Sequence, residues 1–207
     1  MSPPLTRGRP VAVSGVVTEL LFESGDRVKK GQRLLSIDSS QQQADLESLQ
    51  SQAHLAELKL KRTLDLFKKH AVSTAEVDDA KAQTQTAQAA ARAQQERLAK
   101  YNIVAPFDGL LGIRQISIGQ YLSMGTAIVN LQALNPIEVE FALAEKQLPA
   151  LATGQTVKVY VDAYADLAFD GVVSAIEPQI DPSTRLFHVR ARLDNPDEKL
   201  RSGMFAR

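Results

Sequence analysis

Between Gly31 and Pro106 the chain runs for 74 residues with neither glycine nor proline. These two residues punctuate local structure, and here all 11 glycines and all 9 prolines fall in the flanks. An unbroken stretch of that length suits long helices and argues against short strands joined by turns over the same span. The flanks, where breakers recur every few residues, read as β structure. The chain is therefore expected to be two β-rich flanks around one long helical insert.

Within the insert, Leu46, Leu49, Ala53, Ala56, Leu60, Thr63/Leu64 and Phe67 form one series. Ala80, Thr84, Ala87, Ala91, Gln94, Leu98 and Tyr101 form a second. Both alternate steps of three and four, the spacing of a coiled-coil seam. The first seam is mostly Leu and the second mostly Ala, so large side chains can face small ones and the helices approach closely. Between them lies Lys69-His70-Ala71-Val72-Ser73-Thr74. Ser73 or Thr74 can cap the second helix, and Glu76 completes a capping box with Ser73. Ser39-Ser40 offers a cap for the first helix, and His70 stands where free carbonyls end it. The spacing predicts two antiparallel helices of about 28 residues, each roughly 40 Å long. Each helix of such a pair can bury only one seam, so a bare projection of this kind is expected to meet a partner.

The flanks repeat each other. Residues 14–38 (SGVVTELLFESGDRVKKGQRLLSID) align without a gap on residues 108–132 (DGLLGIRQISIGQYLSMGTAIVNLQ) at an offset of 94. Gly15, Gly25 and Gly31 match Gly109, Gly119 and Gly125. Val16/Leu110, Val28/Leu122, Leu34/Ile128, Leu35/Val129 and Ile37/Leu131 match as apolar pairs. Each copy reads as glycine, short strand, turn, short strand, turn, longer strand, with glycine supplying the turn conformations. Two triplets at identical spacing predict a two-fold pseudo-symmetric β unit. Beyond it, Ile137–Phe141, Thr156–Val161, Gly171–Ile176 and Phe187–Leu193 alternate apolar and polar residues. Strands at that spacing suggest a small barrel, with Leu143–Leu148 as a short helix between them.

The two half-motifs resemble the halves of a biotinyl/lipoyl domain, a small sandwich of two four-stranded sheets. In carrier proteins of that family, a tight hairpin bearing the modified lysine joins the halves. Here the helical insert stands in that place, and Lys29 and Lys30 lie in a different turn without the carrier motif. A lipoyl domain split by a long α-hairpin resembles the periplasmic adaptor subunits of tripartite efflux pumps, the HlyD-like membrane fusion proteins. The later phrases Asp181-Pro182-Ser183-Thr184-Arg185 and Asn195-Pro196 through Leu200-Arg201-Ser202-Gly203-Met204-Phe205 look like turn signatures of the adaptor barrel. Ala105–Arg114 followed by Gly119-Gln120-Tyr121 looks most like adaptors of resistance-nodulation-division pumps.

The resemblance implies an elongated, multi-domain α+β fold. Its parts would be an N-terminal strand or linker toward the barrel (1–12), a lipoyl-like sandwich in two halves (13–38 and 102–133), an antiparallel α-helical coiled-coil hairpin (39–101) and a β-barrel (134–207). It implies assembly in place of catalysis, with no cofactor. The partners would be an inner-membrane transporter, a TolC-type outer-membrane channel and further copies of the chain, six in the assembled pump. The family also leads one to expect a periplasmic location, an anchor to the inner membrane and a membrane-proximal domain. None of these is recognisable here, since Met1-Ser2-Pro3-Pro4 lacks a signal peptide's basic and apolar regions and Phe205-Ala206-Arg207 lies inside what should be a strand. Two other readings stay open on the residues: an adaptor of an ABC or major-facilitator exporter, and a lipoyl or biotinyl carrier domain.

Composition narrows the chemistry. With 24 basic and 24 acidic residues the net charge is zero, so no bulk field recruits nucleic acid. Absence of cysteine removes thiolate metal sites and thiol nucleophiles. His54, His70 and His188 are far apart and the three methionines are scattered, so no metal site is expected. No catalytic motif is found, and Asp78-Asp79 suits the start of a helix. The candidate site is the hairpin tip. Arg62, Leu66 and Ser73 have the spacing R-x3-L-x6-S, which resembles the tip pattern of adaptors that dock on TolC-type channels. Arg62 and Leu66 lie one helical turn apart and share a face. In that role Arg62 would donate hydrogen bonds to channel carboxylates or carbonyls, Leu66 would fill an apolar groove, and Ser73 would hydrogen-bond at the tip.

Overall fold

The computed structural model describes residues 7–205. Strands β1 (Arg7–Pro10), β2 (Gly15–Leu20), β3 (Arg27–Val28) and β4 (Arg33–Ile37) precede helices α1 (Ser40–Lys68) and α2 (Thr74–Ala99). Strands β5 (Asn102–Val104), β6 (Gly109–Leu111), β7 (Tyr121–Leu122) and β8 (Ala127–Gln132) follow. They form two four-stranded sheets, ordered β1-β8-β6-β3 and β5-β4-β2-β7. Each sheet takes strands from both sequence halves, so neither half can form its sheet alone.

The offset of 94 governs this unit atom by atom. Gly31 N donates to Ala105 O and Ala105 N to Gln32 O, both at 2.8 Å. In the other half, Gly125 N donates to Val11 O (2.9 Å) and Val11 N to Thr126 O (3.1 Å). The core consists almost wholly of symmetry mates: Val11/Ala105, Val17/Leu111, Phe22/Ile116, Val28/Leu122, Leu34/Ile128, Leu35/Val129 and Ile37/Leu131. The matched apolar pair Val16/Leu110 lies outside this core. Val16 is 40% exposed, and its neighbour Val17 points inward with Leu111. A strand alternates faces, so in a run of two apolar residues only one can enter the core.

The segment expected as a strand or linker toward the barrel contributes strand β1, which pairs antiparallel with β8 of the sandwich. It is the mate of β5, which pairs with β4 in the same way. Residues 1–6 of that expected linker, and Ala206 and Arg207 at the other end, lie outside the described residues. The glycines divide into two kinds. Gly25, Gly31, Gly119 and Gly125 have φ of 88°, 83°, 80° and 91°, the left-handed region that side chains disfavour. Gly15 and Gly109 instead begin strands, and a Cβ on Gly109 would strike the carbonyl of Gln132.

Helices α1 and α2 run antiparallel. Ala56 O accepts from Thr84 Oγ1 and Gln42 O from Gln94 Nε2, each at 3.2 Å, so rising positions on α1 meet falling positions on α2. The buried residues are Ala53 on α1 and Val77, Thr84 and Gln94 on α2. Phe67, expected in the seam, is exposed. It lies level with the start of α2.

After the sandwich come β9 (Ile137–Ala144), a 3₁₀ turn at Glu145–Ala150, β10 (Thr156–Val161), β11 (Tyr164–Ile176) and β12 (Leu186–Leu193). They form one antiparallel sheet ordered β10-β11-β12-β9. Its inner face carries Ile137, Val139, Val159, Val161, Ala191 and Leu193, joined by Leu200 from the segment after β12, in one cluster and Val173, Phe187 and Val189 in another. The outer face of β12 and β9 is a ladder of charges, with Arg190 within 3.6 Å of Glu138 and 3.5 Å of Glu140. Buried Asn195 ties the end of this sheet to the end of the sandwich. Its Nδ2 donates to Leu134 O (2.8 Å) and Leu200 O (2.9 Å), and its Oδ1 accepts from Leu200 N (3.1 Å). Arg27 of β3 reaches Glu198 at 2.8 Å and adds an ion pair across the same junction.

Candidate docking interface

The turn between α1 and α2 is fixed from both sides. At the end of α1, His70 N donates to Phe67 O (2.9 Å) and Ala71 N to Leu66 O (3.0 Å). That pair of bonds is a Schellman motif, and the residue in its left-handed position is His70 with φ of 56°, where glycine is usual. At the start of α2, Ser73 Oγ accepts from Glu76 N (3.2 Å) while Glu76 Oε2 accepts from Ser73 N (2.9 Å), a complete capping box. The orphan backbone groups of both helix ends are thus largely met locally.

The three expected tip residues are held differently. Arg62 and Leu66 lie on one exposed face of α1, and Leu66 is 45% exposed. Arg62 has no hydrogen bond or ion pair of its own among the described residues, so its guanidinium keeps all five donors for a partner. Ser73 is also exposed, but its hydroxyl oxygen already serves the cap. The geometry therefore presents Arg62 and Leu66 together and makes Ser73 first of all a structural residue. Charges around the turn follow the helix dipoles. Lys68 lies in the last turn of α1 and Glu76 in the first turn of α2.

Some exposed residues were missed from sequence. Leu55 and Leu58 stand outside the seam on α1, 53% and 38% exposed, and Phe67 joins Leu66 at the turn. Their signal was present as a second three-four spacing (Leu55, Leu58, Arg62, Leu66) beside the seam. No group of three or more His, Asp or Glu that could hold a metal ion occurs among the described residues. No described helix is long and apolar enough to cross a membrane.

The family profile described as "RND MFP, barrel-sandwich hybrid domain" matches residues 10–133, the two sheets together with both helices. That span is more than half of the chain. The chain belongs to the RND-type membrane fusion proteins. A second profile, "CusB-like, beta-barrel domain", matches residues 136–207 of this fusion protein. An uncharacterized protein of Haemophilus influenzae is 38% identical over 195 residues, covering 94% of the chain and 51% of its own length. The Multidrug resistance protein MdtA of Escherichia coli is 29% identical, covering 93% and 52% respectively. The chain thus spans about half the length of these relatives. Among solved structures, a MacA-MexA chimera containing the Pseudomonas aeruginosa MexA α-hairpin domain shares the fold. Its TM-score is 0.83, with 24% identity over 99% of this chain and 76% of that one.

Proposed function

We propose that this fusion protein is a non-catalytic periplasmic adaptor that links an inner-membrane efflux pump to a TolC-type outer-membrane channel for export of small molecules. The observation that carries the reading is the helix pair standing between the two halves of the sandwich. A carrier domain would hold a tight, lysine-bearing hairpin there. A rigid pair of helices with an exposed Arg and Leu near its turn is suited to contact and not to group transfer. The likeness to a multidrug resistance protein supports drug-like substrates and a resistance-nodulation-division pump.

In this reading Arg62 and Leu66 make the channel contact, and Ser73 holds the turn in shape while remaining near the interface. The sandwich (13–38 and 102–133) and the barrel (134–207) form the body that several copies, six in the assembled pump, bring together around a common axis. The barrel side faces the inner-membrane transporter, and the protein is held at the inner membrane. The pump supplies the energy of transport. The test is Arg62→Asp combined with Leu66→Ser in the full-length protein. Efflux and cross-linking to the channel should fall while the protein stays folded. Unchanged efflux together with unchanged cross-linking would overturn the docking role.

A further inference from the structure

Two residues related by the offset of 94 occupy the same place in the same local fold, so a chemical difference between them is not demanded by folding. A cavity of about 670 Å³ opens between the turn after β2 and the loop after β6. Leu21, Phe22, Glu23 and Asp26 line one side, and Arg114 and Ile118 line the other. The mates Leu20/Arg114 and Ser24/Ile118 all border it, so the cavity lies across the pseudo-two-fold axis. Its two sides share a backbone but not a chemistry. Leu21 is 46% exposed, and its mate is the exposed Gln115. Ile118 is 64% exposed, and its mate is the exposed Ser24. The fold therefore accepts a polar residue at both places, and the core needs neither apolar side chain. Phe22 is different: it closes the floor and is buried in the core, like its mate Ile116.

Charge is unequal too. Glu23 and Asp26 stand where the other half has Ser117 and Gln120. The Asp26 carboxylate accepts from Glu23 N (2.7 Å), while the Glu23 carboxylate has no hydrogen bond or ion pair among the described residues. Arg114, the cation on the opposite wall, gives a donor to Ile116 O (2.8 Å), and its backbone N–H is held by Ser24 Oγ (3.0 Å). The walls are thus fixed in place and set two carboxylates against one guanidinium. We infer that this cavity is a binding site for an amphiphilic cation of drug size, with its apolar part against Leu21, Phe22 and Ile118 and its positive charge at Glu23. The volume falls within the roughly 300–1,000 Å³ of cavities that hold drug-sized ligands. A cleft of net negative charge with apolar walls concentrates cations. One copy of the chain supplies the whole site, and none of its residues lies on α1 or α2. The inference names a substrate class for the export function and rests on that reading for its biological setting.

Tetraphenylphosphonium and tetraphenylborate are nearly equal in size and opposite in charge. Titrated into the purified chain, the phosphonium should bind once per chain, and the borate at least about tenfold more weakly. Amide resonances of residues 21–26 and 114–118 should shift with the cation, and those of the helices should not. Ile118→Ser installs the residue its mate carries, so the thermal midpoint should hold while cation affinity falls about tenfold, the loss of an isoleucine-sized apolar contact. Glu23→Gln should weaken the cation and leave the borate unchanged. Met124→Lys, an exposed site that does not line the cavity and whose mate is Lys30, should alter neither. No saturable cation binding, equal affinity for the borate, or affinity indifferent to Ile118→Ser or to Glu23→Gln would each overturn the proposal. Dimerisation that Ile118→Ser abolishes, without cation binding, would give the cavity to a second copy and overturn it as well. The titration contains neither pump nor channel, so its failure leaves the docking result untouched. Conversely, Arg62→Asp with Leu66→Ser keeps the cavity intact and should leave cation binding unchanged even where channel cross-linking is lost.

Discussion

Asn195 offers a quantitative test of how the sandwich and the barrel sheet are joined. Its amide makes three hydrogen bonds in a buried site, two donated to the carbonyls of Leu134 and Leu200 and one accepted from Leu200 N. Alanine removes all three. At about 1 kcal/mol net for each bond, Asn195→Ala should cost about 3 kcal/mol, a large share of a stability of roughly 5–15 kcal/mol. Asn195→Asp makes the argument sharper. An ionised carboxylate can only accept, yet two of the three partners are carbonyl oxygens. Its pKa in the folded state should therefore rise above the unfolded value. The folded state then binds the proton more tightly, so stability increases as pH falls through that raised pKa. The chain lacks Trp, so urea unfolding can be followed by the tyrosine signal of Tyr160 and Tyr164 on β10 and β11, beside far-ultraviolet circular dichroism for the helices. A cost below about 0.5 kcal/mol for the alanine variant would refute the reasoning, because no three-bond anchor can be that weak. An aspartate variant that is no less stable at neutral pH would refute it too.

Other expectations follow from single positions. His70→Gly relieves a left-handed side chain in the Schellman turn and should stabilise the helix pair by about 0.5–1 kcal/mol in thermal unfolding. Gly31→Ala and Gly125→Ala occupy mated turns with φ of 83° and 91°, and each should cost about 1 kcal/mol. Clearly unequal costs in denaturant unfolding would count against the pseudo-symmetry. The carboxylate of Asp38 accepts from the side chain and then the backbone N–H of Ser40, which hold its pKa below the ordinary value. Its contribution to the start of α1 should be present above about pH 4 and fade as pH falls through the lowered pKa. An NMR titration of Asp38 that gives a pKa at or above the ordinary value would contradict this.

Much of the architecture was legible because it rests on backbone rules. Positive φ at Gly25, Gly31, Gly119 and Gly125 leaves a trace in composition, and the repeat at offset 94 followed from it. The seam positions Ala53, Thr84 and Gln94 were readable from spacing, and they are buried. The place of strand β1 in the sandwich was not legible because Arg7-Gly8-Arg9-Pro10 carries no apolar alternation; its partner β8 fixes it there. Strand β11 begins at Tyr164, seven residues before the expected Gly171, and its early part is fixed by pairing with β10. At the candidate site, the shared face of Arg62 and Leu66 was plain from their four-residue spacing. The commitment of the Ser73 hydroxyl to its cap was foreseen as a second role and emerges as its main one. The wider stripe through Leu55 and Leu58 was overlooked because apolar residues on a helix are first read as seam.

The central claim is that the turn between α1 and α2 meets an outer-membrane channel. A photo-cross-linking residue at position 66 in the full-length protein, activated in living cells, tests it most directly. The account predicts a covalent adduct with a TolC-type channel that disappears when Arg62→Asp is added. Adducts confined to other copies of the chain, or a channel adduct indifferent to Arg62, would contradict it.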